Sequence, residues 1–223
     1  MELWELLGIR PGVTALIGGG GKTTAMYTLA RELAAKGAVI CTTTTHIFPP
    51  EHLPVLNSAS EEALSAALST HRCVCLGTLS EGGKLTVPTL PIEALALQAD
   101  YVLVEADGSK RLPVKAHLSH EPAVPSGAGL TVTLAGASGF GRPIREAVHR
   151  WERFCQLTGA SPEELVTAEN LSVSLNAEGL GDIIFVNQAE TPSAMAAARR
   201  LAALSSRPVY AGSLRGGVWD CLS

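Results

Sequence analysis

Val13-Thr14-Ala15-Leu16-Ile17-Gly18-Gly19-Gly20-Gly21-Lys22-Thr23-Thr24 is the stretch from which the architecture of this 223-residue chain can be read. The apolar run before the glycines has the length and composition of a buried strand. After them Ala25, Met26, Leu29, Ala30, Leu33 and Ala34 recur at helical spacing. Four consecutive glycines turn the backbone without a Cβ penalty and bring several N–H groups toward an anion, and Lys22 adds a positive charge. A helix starting near Lys22 aims its positive dipole end at the same place. The ligand that suits this combination is a polyphosphate.

Strand, glycine loop and helix together resemble a P-loop. Gly21-Lys22-Thr23-Thr24 matches the end of G-x-x-x-x-G-K-[ST], while Leu16 stands where that pattern has its first glycine, so the entry turn is rebuilt from Gly18 and Gly19. Lys22 and the loop amides are expected to hold β- and γ-phosphates, with Gly18, Gly19, Gly20, Gly21 and Thr24 lining the cradle and the Thr23 hydroxyl on a magnesium ion.

A second decisive stretch is Asp100-Tyr101-Val102-Leu103-Val104-Glu105-Ala106-Asp107-Gly108-Ser109. An apolar strand ending in acid supplies the carboxylate half of a P-loop site, where the carboxylates hold magnesium and orient water. Glu105 and Asp107 fall on one side by alternation, Gly108 lets an amide approach the γ-phosphate, and Lys110 is placed to meet transition-state charge. Earlier in the chain, Ala38 to Thr43 reads as a strand whose carboxyl end carries Thr42-Thr43-Thr44-Thr45-His46. Thr43 or Thr44 reaches the metal or the terminal phosphate on this reading; the alternative is that threonines simply suit strands.

The third stretch, Asp182 to Glu190, is an apolar strand ending in Asn187-Gln188-Ala189-Glu190. It resembles the N-K-x-D base-recognition element of GTPases, with Gln188 in place of the lysine and Glu190 in place of the aspartate. Asn187 and Glu190 therefore join the nucleotide-binding candidates, and GTP is placed modestly ahead of ATP.

Gly18-Gly-Gly-Gly-Lys-Thr-Thr24, Thr42-Thr-Thr-Thr-His46, Glu105-Ala-Asp-Gly-Ser-Lys110 and His120-Glu-Pro122, in this order, are similar to the YqeC-type family, accessory proteins of selenium-dependent molybdenum hydroxylases. The resemblance implies an NTP-binding protein that serves the maturation of a molybdenum enzyme, with that hydroxylase or its maturation proteins as partners. Composition itself shows neither selenium nor molybdenum.

The remaining sequence bounds this reading. The chain is 46% apolar with a net charge of -4 and no dense Lys/Arg cluster, which argues against nucleic-acid and membrane-surface roles. Met1 to Arg10 carries Glu2 and Glu5 and no basic or long apolar run, so the expected location is cytoplasmic. Cys41, Cys73, Cys75, Cys155 and Cys221 read as reduced thiols rather than a metal set.

Lys110, Arg111, Lys115, His117 and His120 form a polar segment read as solvated loop apart from Lys110, with a metal at His117 and His120 as a minority reading. His149 and Arg150 read as surface decoration on a helix running from Pro143 past Phe154, and Ser161-Pro162-Glu163-Glu164 as a helix start continuing to Leu175. The βα alternation predicts an α/β three-layer sandwich with a mainly parallel sheet of the P-loop NTPase type. One domain over 1–223 is expected, with a peripheral hairpin near 78–88 and a helical insertion near 143–176. Magnesium-dependent NTP hydrolysis is the leading function. An ATP-dependent ligase or kinase is one alternative, because Gly-x-x-Gly-Lys-Thr-Thr also resembles the loop of Mur-type amide ligases; a non-hydrolysing nucleotide-binding module is the other.

Overall fold

A computed structural model describes residues 1–222 and shows an α/β architecture in which a large, mainly parallel sheet is flanked by helices, the layered arrangement that the βα alternation predicts. The chain divides into two compact units. The first holds Met1–Leu16, Ala25–Asp107 and Ala123–Leu130, and the second holds Ile17–Thr24, Gly108–Pro122 and the residues from Thr131 onward.

The first unit holds α1 (Leu3–Leu6), β1 (Gly12–Gly18) up to Leu16, α2 (Lys22–Leu33) from Ala25 onward, β2 (Val39–Thr43), β3 (Val55–Asn57) and α3 (Glu61–His71). It continues with β4 (Cys73–Leu79), β5 (Leu85–Thr86), α4 (Ile92–Gln98) and β6 (Tyr101–Glu105). Its strands lie in the order β1, β6, β2, β4, β3, all parallel, with β5 antiparallel to β4. Strands buried on both faces need apolar residues at every position, and β6 supplies them as Tyr101-Val102-Leu103-Val104. Met26, Leu29, Ala30 and Leu33 of α2 are fully buried, the stripe that their helical spacing predicts.

Ser60 caps α3 by accepting the Ala63 N–H at 3.3 Å, as its position in the sequence suggests. The hairpin near 78–88 forms, but Leu85 is fully buried and pairs with Ile47, so the turn is stitched into the core rather than appended to it. The short β3 escapes the sequence reading because Pro49, Pro50 and Pro54 mark a loop. It pairs nonetheless, since Pro54 still offers its carbonyl to the Cys75 N–H at 2.8 Å.

The second unit contains β7 (Val114–Lys115), β8 (Ala128–Gly136) from Thr131 onward, α5 (Ile144–Ala147), β9 (Val148–His149), α6 (Trp151–Thr158) and α7 (Ala168–Glu178). It closes with β10 (Ile183–Asn187), α8 (Pro192–Leu204), β11 (Val209–Ser213) and β12 (Val218–Cys221). β8, β10 and β11 are parallel neighbours, and β12 returns antiparallel along β11. Phe154, Ile144, Val148, Leu171, Ile184, Val186 and Leu201 share one core, each burial contributing about 1.5–3 kcal/mol.

Two helix expectations are corrected here. The helix expected from Pro143 through Phe154 breaks after Ala147: Val148 and His149 leave it to pair with Val114 and Lys115, and Arg150 takes a left-handed backbone before α6 begins. Ile144, Val148 and Phe154 are still buried, because two short helices and a strand between them bury the same side chains as one helix. Ser161 to Glu164 makes only a turn. The carbonyls of Pro162 and Glu164 accept the Arg145 and Ile144 N–H groups, so no helix propagates, and α7 starts later under a Thr167 cap.

Candidate functional site

The glycine loop lies in the second unit and is shaped by close backbone approach. Gly18 has φ 92, and a Cβ there would sit 2.2 Å from the Leu134 carbonyl oxygen. Gly20 has φ 73, and its Cβ would fall 2.2 Å from the Gly136 nitrogen. Both conformations exclude a side chain twice over, by dihedral and by space.

The Gly19 N–H donates to Leu134 O at 2.9 Å and the Gly20 N–H to Leu112 O at 3.2 Å. Two of the amides expected to face an anion therefore bind the protein instead. The amides that open α2 have no acceptor within the helix itself. Lys22 is buried and folds back so that its ammonium donates to Gly18 O at 2.6 Å, closing the loop on itself. Thr23 is half-buried and Thr24 exposed.

Asn187 explains how the loop is held. It is buried at the end of β10, where its Nδ2 donates to Gly20 O at 2.7 Å and its Oδ1 accepts the Leu214 N–H at 3.0 Å. Its amide thus ties two backbone segments together, the part of the base-recognition resemblance that concerns loop architecture. Glu190 is exposed, and Gln188 takes a left-handed φ of 65.

In the first unit the acidic strand ends as its sequence suggests. Glu105 and Asp107 are both buried, at 7% and 1% exposure. Parallel pairing sets Glu105 opposite Leu16, and the Ala106 N–H continues the ladder to Leu16 O at 2.9 Å. Thr43 is fully buried beside this strand. Its hydroxyl donates to Glu105 O at 2.8 Å, and its oxygen receives the Thr45 N–H at 2.9 Å. Thr44 donates to Ala123 O at 2.8 Å. Both threonines therefore brace backbone, and Thr43 retains little capacity for a further ligand.

Cys41, Cys73 and Cys75 are buried on neighbouring strands without a disulfide, and Cys155 and Cys221 are likewise outside any disulfide. Burial pushes the Cys75 thiol up to about 12, and the hydrogen bond with Cys73 together with burial keeps Cys41 protonated. Among the described residues no group of three or more His, Cys, Asp or Glu side chains is gathered as a metal set.

The polar segment after Gly108 is where the solvated-loop reading fails. Lys115 and His117 are buried, at 3% and 4% exposure, and His149 at 8%. His117 Nδ1 meets Glu178 Oε2 at 2.9 Å inside the second unit, while His120 is exposed, so the two histidines do not face one ligand. Lys115 donates to Gly108 O at 2.8 Å and lies 3.4 Å from Glu121 Oε2, and Arg150 Nη2 donates to Glu121 Oε1 at 3.2 Å. Burial opposes the Glu121 charge, but the Arg150 hydrogen bond and the charges of Lys115 and Arg150 outweigh it and hold the carboxyl below its usual range.

His149 is pushed below its ordinary value first by burial, then by Lys115, Arg150 and Lys110, with Glu121 opposing. Lys110 itself is exposed, with a φ of 49. The signal missed in the sequence was the pairing of β7 with β9, which brings residues over thirty positions apart into register.

Residues 14–152 match the family described as YqeC protein, well over half of the chain. The chain belongs to the YqeC family. A protein of Escherichia coli strain K12 described as "Uncharacterized protein YqeC" is 34% identical over 170 residues, which cover 73% of this chain and 66% of that protein. The chain thus spans just under two thirds of that relative's own length. No solved structure matches it. The region matched to YqeC holds the glycine loop, the acidic strand and the Lys115 cluster, and it ends before Asn187. Among the described residues no helix is long and apolar enough to cross a membrane.

Proposed function

We propose that this YqeC-family chain binds a nucleoside triphosphate with magnesium and hydrolyses it, as an accessory to the maturation of a selenium-dependent molybdenum hydroxylase. The observation that carries the nucleotide reading is the glycine loop: a backbone that admits no Cβ at Gly18 or Gly20 and turns directly into the first turn of α2. Lys22 would exchange its Gly18 carbonyl for β- and γ-phosphate oxygens, supported by the loop and by Thr24. The magnesium ligands expected from the sequence, Thr23, Glu105 and Asp107, are hard oxygen donors of the kind this ion takes, with Asp107 also orienting water, while the hydroxyls of Thr43 and Thr44 are engaged by backbone. Gly108 would present its amide to the γ-phosphate. GTP keeps its modest lead over ATP only through Glu190, since both ends of the Asn187 amide are engaged by backbone.

Thermal-shift titration with GTP, ATP and CTP, each with and without magnesium, tests the binding step. A magnesium-dependent rise in Tm for at least one triphosphate, lost in Lys22→Ala, is the expected result. Turnover should vanish in Asp107→Ala while binding persists. No Tm response to any triphosphate would sink the reading, and failure of the hydroxylase to co-purify with the chain would sink the accessory role alone. The Lys115, His149 and Arg150 cluster favours a second reading, an ATP-dependent kinase or ligase whose other substrate is anionic. Release of phosphate that depends on a small anionic acceptor would select it.

A further inference from the structure

We propose that Lys110, Lys115, His149 and Arg150 form a second anion site, separate from the glycine loop, which takes the phosphoryl group of a small phosphomonoester. Lys115 and His149 are register partners on β7 and β9, so their side chains leave the same face of that two-stranded ribbon. His149 is more than nine-tenths buried, and its Nδ1 has no hydrogen-bond partner. The Nε of Arg150 is likewise buried without one. Two buried nitrogens without partners in one cluster are costly in the empty protein and become useful when a ligand supplies oxygen acceptors. α6 begins at Trp151 with no capping side chain at Arg150, which leaves its first-turn amides at the same cluster.

Charge selects the ligand class. Lys110, Lys115 and Arg150 all act on His149, and Glu121 is the one carboxylate among the groups that do. A phosphomonoester brings three acceptor oxygens and a charge of about -1.5 to -2 at pH 7 to these donors, whereas a monocarboxylate brings two oxygens and a single charge. Glu121 remains useful with the ligand bound, because it holds Arg150 at 3.2 Å and Lys115 at 3.4 Å and so fixes their heads. The cluster is open to an arriving ligand on one side: the Arg150 side chain is 36% exposed and Lys110 lies at the surface, while the Lys115 side chain is fully buried. Burial and the neighbouring cations favour the neutral form of His149, and a bound dianion favours its protonation.

The test uses the full chain carrying Lys22→Ala, so that phosphate held by the glycine loop does not enter the measurement. Histidine resonances are followed against pH with inorganic phosphate, glycerol 3-phosphate or acetate, and the His149 signal is identified by its loss in His149→Gln. The expected result is that both phosphoryl ligands, and not acetate, raise the His149 pKa by about one unit or more. Arg150→Gln should weaken glycerol 3-phosphate binding about tenfold, and Lys110→Gln, at an exposed position, about threefold. Tighter binding of glycerol 3-phosphate than of inorganic phosphate identifies the ester as the ligand. An unmoved His149 signal overturns the proposal, as does equal binding by wild type, Arg150→Gln and Lys110→Gln; an equal response to acetate overturns the assignment to phosphoryl groups.

Discussion

Lys22 and Lys115 each bury an ammonium group against a glycine carbonyl of the second unit, at 2.6 Å on Gly18 and 2.8 Å on Gly108. The two are supported differently. Lys22 stands on the first turn of α2, four residues from its carbonyl acceptor, in a loop shaped by close backbone approach. Lys115 stands on a two-residue strand, and its neighbours Glu121, His149 and Arg150 arrive from separate segments. A lysine held by a contiguous loop can give up its carbonyl to a phosphate at little cost to the fold. One held by a buried charge network cannot move without unbalancing its partners.

The largest effect expected from this contrast is on ligand affinity. Lys22→Ala should lower triphosphate affinity at least about a hundredfold while changing the urea midpoint little, by calorimetry and denaturation on the same preparation. A variant that lost stability and affinity together would place Lys22 in the structural class and break the comparison. Next comes the loop itself. Gly20→Ala should cost about 3–5 kcal/mol, because a left-handed backbone and a clash with the Gly136 main chain add and neither neighbour is flexible.

Asn187→Ala should cost about 2–3 kcal/mol, since it leaves Gly20 O and the Leu214 N–H buried without partners. A matching loss of triphosphate affinity would show that the tether also positions the cradle.

The smallest effects belong to pH. Glu121 has its folded pKa lowered, so its contribution is present above the unfolded value near 4.3 and is lost as pH falls through the folded value. Glu121→Gln should therefore be less stable than wild type at pH 7, by no more than about 1 kcal/mol given solvent access to the pair, and the two should converge once pH falls below the lowered folded value. His149, also depressed, acts in the same direction at a higher window: the folded chain loses stability as pH falls below about 6.5, where the unfolded imidazole binds its proton first. Denaturation midpoints collected from pH 7 down to pH 3 should show both steps, and His149→Gln should remove only the upper one.

Much of the fold was legible because its signals are local. β1, β2, β6 and β10 are continuous apolar runs, α2 carries an apolar stripe, and Ser60 sits at a real helix start. The misreadings occurred where local preference met a tertiary partner. Ser161-Pro162-Glu163-Glu164 has good helix-start chemistry, yet its carbonyls are taken by α5. Val148 keeps helical spacing with Ile144 and Phe154 but pairs as a strand, and β12 lies beyond the last apolar run read as a strand.

The amino-acid order alone determined the alternation of strand and helix, the glycine cradle with its lysine, and the acid-tipped strand, because each depends on residues adjacent in the chain. Only the folded chain decided that Asn187 fastens the cradle, that two glycine amides turn inward, and that Lys115, His149 and Arg150 gather around Glu121. Those depend on strand pairing between distant segments, and the free energy that selects such a pairing comes from the whole core rather than from any residue in the pair.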